Sequence, residues 1–159
     1  MHADKLLIED HDRIRGLLKQ LDDSGSDPRQ RRRLLNALGD ELVVHVHIED
    51  ELFYPAVRAV SPLVAIALAE HRQIDDHMAA TLRTDPASPR FAEEMGALHA
   101  AIGGHAGEEE AVMFPQSQAL GDVELERLGK EMRDRQERLR RSKLLRLRVG
   151  IKRGILRHT

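Results

Sequence analysis

Cysteine and tryptophan are absent, and the aromatics amount to one Tyr and three Phe in 159 residues. Without thiols there is no disulfide, no thiol nucleophile, no thiolate zinc site and no cysteine-held iron–sulfur cluster. Any metal must therefore be taken by imidazole and carboxylate. Long apolar runs are missing too. No stretch approaches the ~20 residues a membrane-spanning helix needs, and Asp4, Glu9 and Asp10 stand where a signal peptide is apolar. A cytoplasmic protein without stable membrane insertion is expected. There is no phosphate-cradling glycine loop and no recognisable Ser or Cys nucleophile arrangement, and no nucleic-acid partner is expected.

What is present in excess is histidine, with nine residues. Hydrophobic residues make up 41% and charged residues 33%, the balance of a soluble, helix-rich chain. A chain of this length buries roughly 70% of its unfolded surface, enough for one real core. The net charge of -2 hides an asymmetry, because the nine Lys or Arg between Arg138 and Thr159 meet no acid. That leaves about -11 on residues 1–137.

Three dipeptides punctuate the chain: Asp27-Pro28, Ser61-Pro62 and Ser88-Pro89. Each pairs a capping side chain with a proline suited to the first helical position. They predict helices over 4–23, 28–59, 62–83 and 89–118, joined by short polar connections. A fifth helix is expected after Gly121-Asp122, with Leu125, Leu128, Met132 and Leu139 on one face. The fold class implied is all-α: an up-down-up-down four-helix bundle over 1–120 with a C-terminal helical extension over 121–159. The basic stretch from Lys143 is expected to lay Leu144, Leu147, Ile151 and Ile155 on the acidic bundle; contact with anionic lipid or an acidic partner is the alternative.

The segment 45–55, HVHIEDELFYP, aligns without a gap onto 105–115, HAGEEEAVMFP. Histidine meets histidine, Glu49 meets Glu109, Tyr54 meets Phe114 and Pro55 meets Pro115. Alternating three and four spacing makes a stripe of Leu35, Leu38, Leu42, His45, Glu49, Leu52 and Ala56. The equivalent stripe in the other copy is Phe91, Met95, Leu98, Ile102, His105, Glu109 and Val112. His11 falls in the stripe Leu7, Ile14, Leu18, Leu21, and His71 in Val64, Ala67, Ile74, Met78. Each helix thus turns one histidine toward the core, and two add a glutamate one turn later. Burying such groups without partners costs several kcal/mol for each ion. Two metal ions would neutralise them, since i,i+4 spacing puts both donors on one helix face. His47, His77 and His99 fall about 120–200° off these stripes, and the terminal His2 and His158 carry no signal.

His11, then His45-x-x-x-Glu49 with Tyr54-Pro55, then Glu70-His71, then His105-x-x-x-Glu109 with Phe114-Pro115, resembles the hemerythrin-like (HHE cation-binding) family over residues 1 to about 118. The resemblance implies a bundle holding two non-haem irons, bridged by an oxo or hydroxo group and by Glu49 and Glu109. His11 and His45 would serve one iron, and His71 and His105 the other. In the oxygen-carrying hemerythrins the third helix supplies two histidines one turn apart; here the residue one turn after His71 is Asp75. Asp75, solvent or Tyr54 could fill that place. Tyr54 sits at an ideal helical phase about 140° from Glu49, and its alternative role is to close the bundle end, as expected of Phe114.

Such a site could take hydrogen peroxide, O2 or NO. Losing one imidazole argues against reversible oxygen carriage and favours peroxide disproportionation or reduction in stress defence. Glu49 and Glu109 would hold the irons, with Tyr54, Asp75 or His47 moving protons. The competing classes are a reversible O2 or NO binder or sensor, and an iron-responsive interaction module.

Overall fold

The computed structural model describes residues 1–25 and 27–142. Four long helices, α1 (Ala3–Asp23), α2 (Pro28–Ile48), α4 (Val64–Arg83) and α5 (Pro89–Glu108), form the bundle. A π turn, Glu49–Phe53, continues α2 into the short α3 (Tyr54–Val57). A second, Glu109–Met113, continues α5 into α6 (Phe114–Ser117), and a 3-10 turn, Gln118–Leu120, leads to α7 (Asp122–Arg141). The tail residues Leu144, Leu147, Ile151 and Ile155 lie outside the described residues.

Helix starts follow the caps at two of the three expected places. Asp27 accepts from the Arg29 amide at 3.0 Å and Ser88 from the Arg90 amide at 3.2 Å, each contact stabilising its helix by about 1 kcal/mol. Ser61 accepts from the Leu63 amide at 3.3 Å, but regular helix begins only at Val64. Here the capping contact closes a turn, and α4 starts two residues later than the proline suggests.

Helix α1 packs on α2 and α4 on α5, while α7 lies across α1 and α2. The core has two apolar halves. One contains Ile14, Leu18, Leu35, Leu38, Leu42, Ile74, Phe91, Leu98 and Ile102. The other contains Leu6, Leu7, Val44, Ile48, Phe53, Val57, Met113 and Phe114, together with Leu125, Leu128, Met132 and Leu139 of α7. Along every bundle helix the histidine falls where one half gives way to the other, so a polar layer divides the core. Helix α7 comes close where Gly129 meets the backbone of Met1 and Ala3; a Cβ there would overlap the Met1 carbonyl. Gly121, at φ 84°, makes the turn into α7 in a region that favours glycine.

The π turns correct the expected stripes. Leu52 is only half-buried and Val112 is exposed, while Phe53 and Met113 are buried in their stead. A π turn inserts one residue into the helical repeat, which moves every following side chain back by one position. The cause is visible in the sequence. Pro55 and Pro115 have no N–H to donate to the carbonyl four residues earlier, and the amides of Tyr54 and Phe114 reach back to the carbonyls of Glu49 and Glu109. No described helix is long and apolar enough to cross a membrane.

Candidate metal centre

The polar layer brings together His11, His45, Glu49, His71, His105 and Glu109, all buried. Within helices, His45 Nε2 lies 3.2 Å from Glu49 Oε1 and His105 Nε2 lies 3.0 Å from Glu109 Oε1. Across helices, His11 Nε2 lies 3.4 Å from Glu109 Oε1 and His71 Nε2 lies 2.9 Å from Glu49 Oε2. Two overlapping sets have donor atoms close enough to hold an ion: His11, His45, Glu49 and Glu109, and then Glu49, His71 and His105. Glu49 belongs to both, as a bridging carboxylate must.

The donor set fits metal. Buried Glu49 Oε1, Glu109 Oε1 and both nitrogens of His11 have no hydrogen-bond partner, an arrangement that costs about 1–3 kcal/mol per atom without a further ligand. The Nε2 atoms of His71 and His105 stand 3.0 Å apart, and both can be satisfied if each gives its lone pair to a cation.

Tyr54 is inside this layer. Its hydroxyl lies 3.1 Å from Glu49 Oε2, 3.0 Å from Glu109 Oε2 and 3.0 Å from His71 Nε2. The phase of about 140° expected for an ideal helix is overturned here: the residue inserted by the π turn leaves Tyr54 about 40° from Glu49. Phe114, its counterpart in the repeat, stacks on His11 with ring centroids 5.7 Å apart. Asp75 is exposed and belongs to neither donor set among the described residues. The buried face of α4 runs through Ala67, His71, Ile74 and Met78, and Asp75 lies about 70° off its centre. His47 is also at the surface, 3.0 Å from Glu51. His99 is half exposed, 3.7 Å from Asp22.

Sequence spacing alone did not reveal a second ring of acids behind the histidines. Asp10 on α1 faces Nδ1 of His45 on α2 at 3.3 Å, and Asp50 faces Nδ1 of His71 on α4 at 2.8 Å. Glu70 on α4 faces Nδ1 of His105 on α5 at 3.3 Å, and Glu110 lies 3.5 Å from Nδ1 of His11 on α1. Three of these acids hydrogen-bond the histidine of the next helix round the bundle, and Glu110 stands as an ion-pair neighbour of His11. A carboxylate accepting from Nδ1–H fixes the ring and leaves Nε2 free for a metal. The signal was present in the chain: Asp10, Asp50, Glu70 and Glu110 are each immediate neighbours of His11, Glu49, His71 and Glu109.

Charge in the layer is strongly coupled. Burial pushes the imidazoles of His45 and His105 down, but Glu49 and Asp10 hold the first up to about 10, and Glu109 and Glu49 hold the second up to about 11. His71 is likewise raised, with Asp50 and Glu49 outweighing its burial. Burial pushes Glu49 up, yet His45, His105 and His71 together hold it well below the ordinary carboxylate range. Burial first, and then Glu49 and Glu109, push the Tyr54 phenol far above its ordinary value. Beside the four histidines opens a cavity of about 180 Å³. Ile14, Leu18, Leu42, Ile74 and Ile102 line it, with Arg15, His99 and Gly103 also on its wall.

A family model described as the hemerythrin HHE cation binding domain matches residues 2–117. Uncharacterized proteins of Mycobacterium bovis and Mycobacterium tuberculosis are each 35% identical over 159 residues, covering 99% of this chain and 99% of their own. The crystal structure of a hemerythrin HHE cation binding domain-containing protein from Mycobacterium kansasii has TM-score 0.88 and 36% identity, covering 99% of this chain and 98% of that one. Fold, buried histidine and glutamate layer, and these likenesses agree: the chain belongs to the hemerythrin HHE cation-binding domain family.

Proposed function

We propose that this protein is a non-haem di-iron protein that acts on hydrogen peroxide, in a catalase-like or peroxidase-like manner, in cytoplasmic stress defence. Residues 1–120 would form the metal-binding bundle and 121–159 its helical extension. His11 and His45 would hold one iron and His71 and His105 the other, with Glu49, common to both donor sets, and Glu109, a member of the first, as the carboxylate ligands. When bound, the pair supplies Lewis-acid and redox chemistry at a replaceable coordination position.

The observation that carries the peroxide assignment is the Tyr54 hydroxyl, within 3.1 Å of Glu49, Glu109 and His71. Where a ferric ion displaced its proton, Tyr54 would add a hard oxygen donor, which favours the ferric state. The raised phenol stays protonated at neutral pH and can donate to either glutamate, so Tyr54 is the group best placed to hold or move a proton. Asp75 and His47, both outside the layer, lose that role. The cavity beside the histidines, walled largely by Ile14, Leu18, Leu42, Ile74 and Ile102, has room for a molecule as small as peroxide.

Oxygen evolution from peroxide by the iron-loaded protein, abolished in Glu49→Ala, is the expected result. Iron-loaded protein that evolves none at millimolar peroxide overturns the assignment. The same largely apolar cavity favours a second reading, reversible O2 or NO binding, which predicts a reversible spectral change when gas meets the reduced protein.

A further inference from the structure

Helix α7 lies beyond the residues matched by the family model, yet one of its side chains reaches the polar layer. Gln136 is fully buried. Its Nε2 donates to both oxygens of Asp10, at 2.8 and 3.0 Å, and its Oε1 accepts from Arg133 at 3.4 Å. Asp10 in turn faces His45 Nδ1 at 3.3 Å and also pairs with Arg13. A continuous chain of polar contacts thus runs from α7 through Asp10 to His45.

This support differs from the other three. The side chain of Asp10 is 2% exposed, against 40% for Asp50 and 26% each for Glu70 and Glu110. Those three acids can be solvated by water. Asp10 is sealed by α7, and a buried carboxylate needs fixed donors in water's place. Gln136 gives two of them, and it is an uncharged amide, so it steadies the carboxylate without competing for the His45 proton. Neighbouring contacts fix the register of α7: Gly129 against the Met1 carbonyl, and Arg133, Arg135 and Arg140 paired with Glu9, Glu51 and Glu41. An apolar side chain at 136 would fill the space, but it would leave Asp10 with Arg13 and His45 alone.

We propose that Gln136 is a positioning residue of the metal centre: by fixing Asp10 it orients His45, so that the half of the site with His11 and His45 depends on this α7 side chain, while His71 and His105 are held by Asp50 and Glu70. The inference rests on the metal assignment made above. Apolar burial alone would give α7 a purely structural role, and the two roles predict different outcomes.

The test compares full-length wild type, Gln136→Leu and Leu139→Ala, the last removing an apolar α7 contact without touching Asp10. Metal-free protein is titrated with Zn(II) against a competing chelator, and the His45 and His105 imidazole Nδ1 signals are followed by NMR before metal is added. In Gln136→Leu we expect one of two ions to bind about 10–100-fold more weakly and the other unchanged. The His45 signal should move while that of His105, supported by Glu70, stays in place. Leu139→Ala should lower Tm and leave both affinities and both signals unchanged. Equal affinities and an unmoved His45 signal in Gln136→Leu, or the same equal weakening of both ions in Gln136→Leu and Leu139→Ala, overturn the proposal. If wild type bound no zinc, the metal assignment would fail separately, and the metal-free His45 signal would decide the role of Gln136 alone.

Discussion

In both copies of the repeat a buried histidine is followed one turn later by a buried glutamate, then by a π turn and a proline. At the aromatic before that proline, one copy carries Tyr54 and the other Phe114. The backbone treats them alike, and both rings are buried against a histidine, Tyr54 on His71 and Phe114 on His11. The hydroxyl is what sets the copies apart. It gives one half an oxygen donor touching both glutamates, while the other half ends in a hydrocarbon face. A duplicated device thus presents two unlike sets of side chains that differ by one oxygen atom.

The largest effect should come from Glu49→Ala, because Glu49 is shared by both donor sets: both halves fail together, and elemental analysis should find neither ion retained. Tyr54→Phe makes the copies chemically alike. It should keep its metal while peroxide turnover drops by about 100-fold or more, the usual worth of a positioned proton donor. A ligand role for the phenol would add a second sign, loss of a visible charge-transfer band. Unchanged turnover would remove Tyr54 from the chemistry.

A third effect should be shared equally by the halves. In the metal-free protein His45 is held up to about 10 and His105 to about 11 by their carboxylates, so both imidazoles carry protons at neutral pH that a metal must displace. Uptake should therefore release protons. Apparent affinity should weaken as pH falls below about 10 and tighten as it rises toward that value, which titration in weak buffer measures directly. Proton-neutral uptake at pH 7 would contradict it. Next in size is Pro55→Ala, which restores an N–H and lets the α-helical register compete with the π turn for about 1 kcal/mol. Tyr54 should swing from the layer and turnover should fall, with metal retained. The smallest effect belongs to His47→Gln: this surface residue, which shares the i,i+4 spacing of His45, should change stability by less than about 0.5 kcal/mol and leave metal content unchanged.

Much of this was legible in the chain. The caps at Asp27 and Ser88, the apolar stripes and the histidine in each stripe come from local chemistry and helical periodicity, and these operate before any helix meets another. Periodicity also separates buried His45 and Glu49 from half-buried His47 and exposed Glu51. What stayed hidden depends on departures from that periodicity or on neighbours distant in sequence. The π turns shifted Phe53, Tyr54 and Met113 inward, and a stripe counted at 3.6 residues per turn passes over them. Asp75 matches the spacing of a ligand, but the packing of Ile74 and Met78 turns α4 so that it faces water. The acids behind the histidines could be suspected as chain neighbours of the ligands, yet each serves a different helix. Gln136 is one uncharged residue on a helix whose sequence suggests only an apolar face.

The proposed function rests on the buried layer being a two-iron centre. Its most direct test is elemental analysis, with near-UV and visible spectra, of the full chain purified without added metal. Two irons per chain with charge-transfer absorption are expected. Zinc alone, or no bound metal, would contradict this.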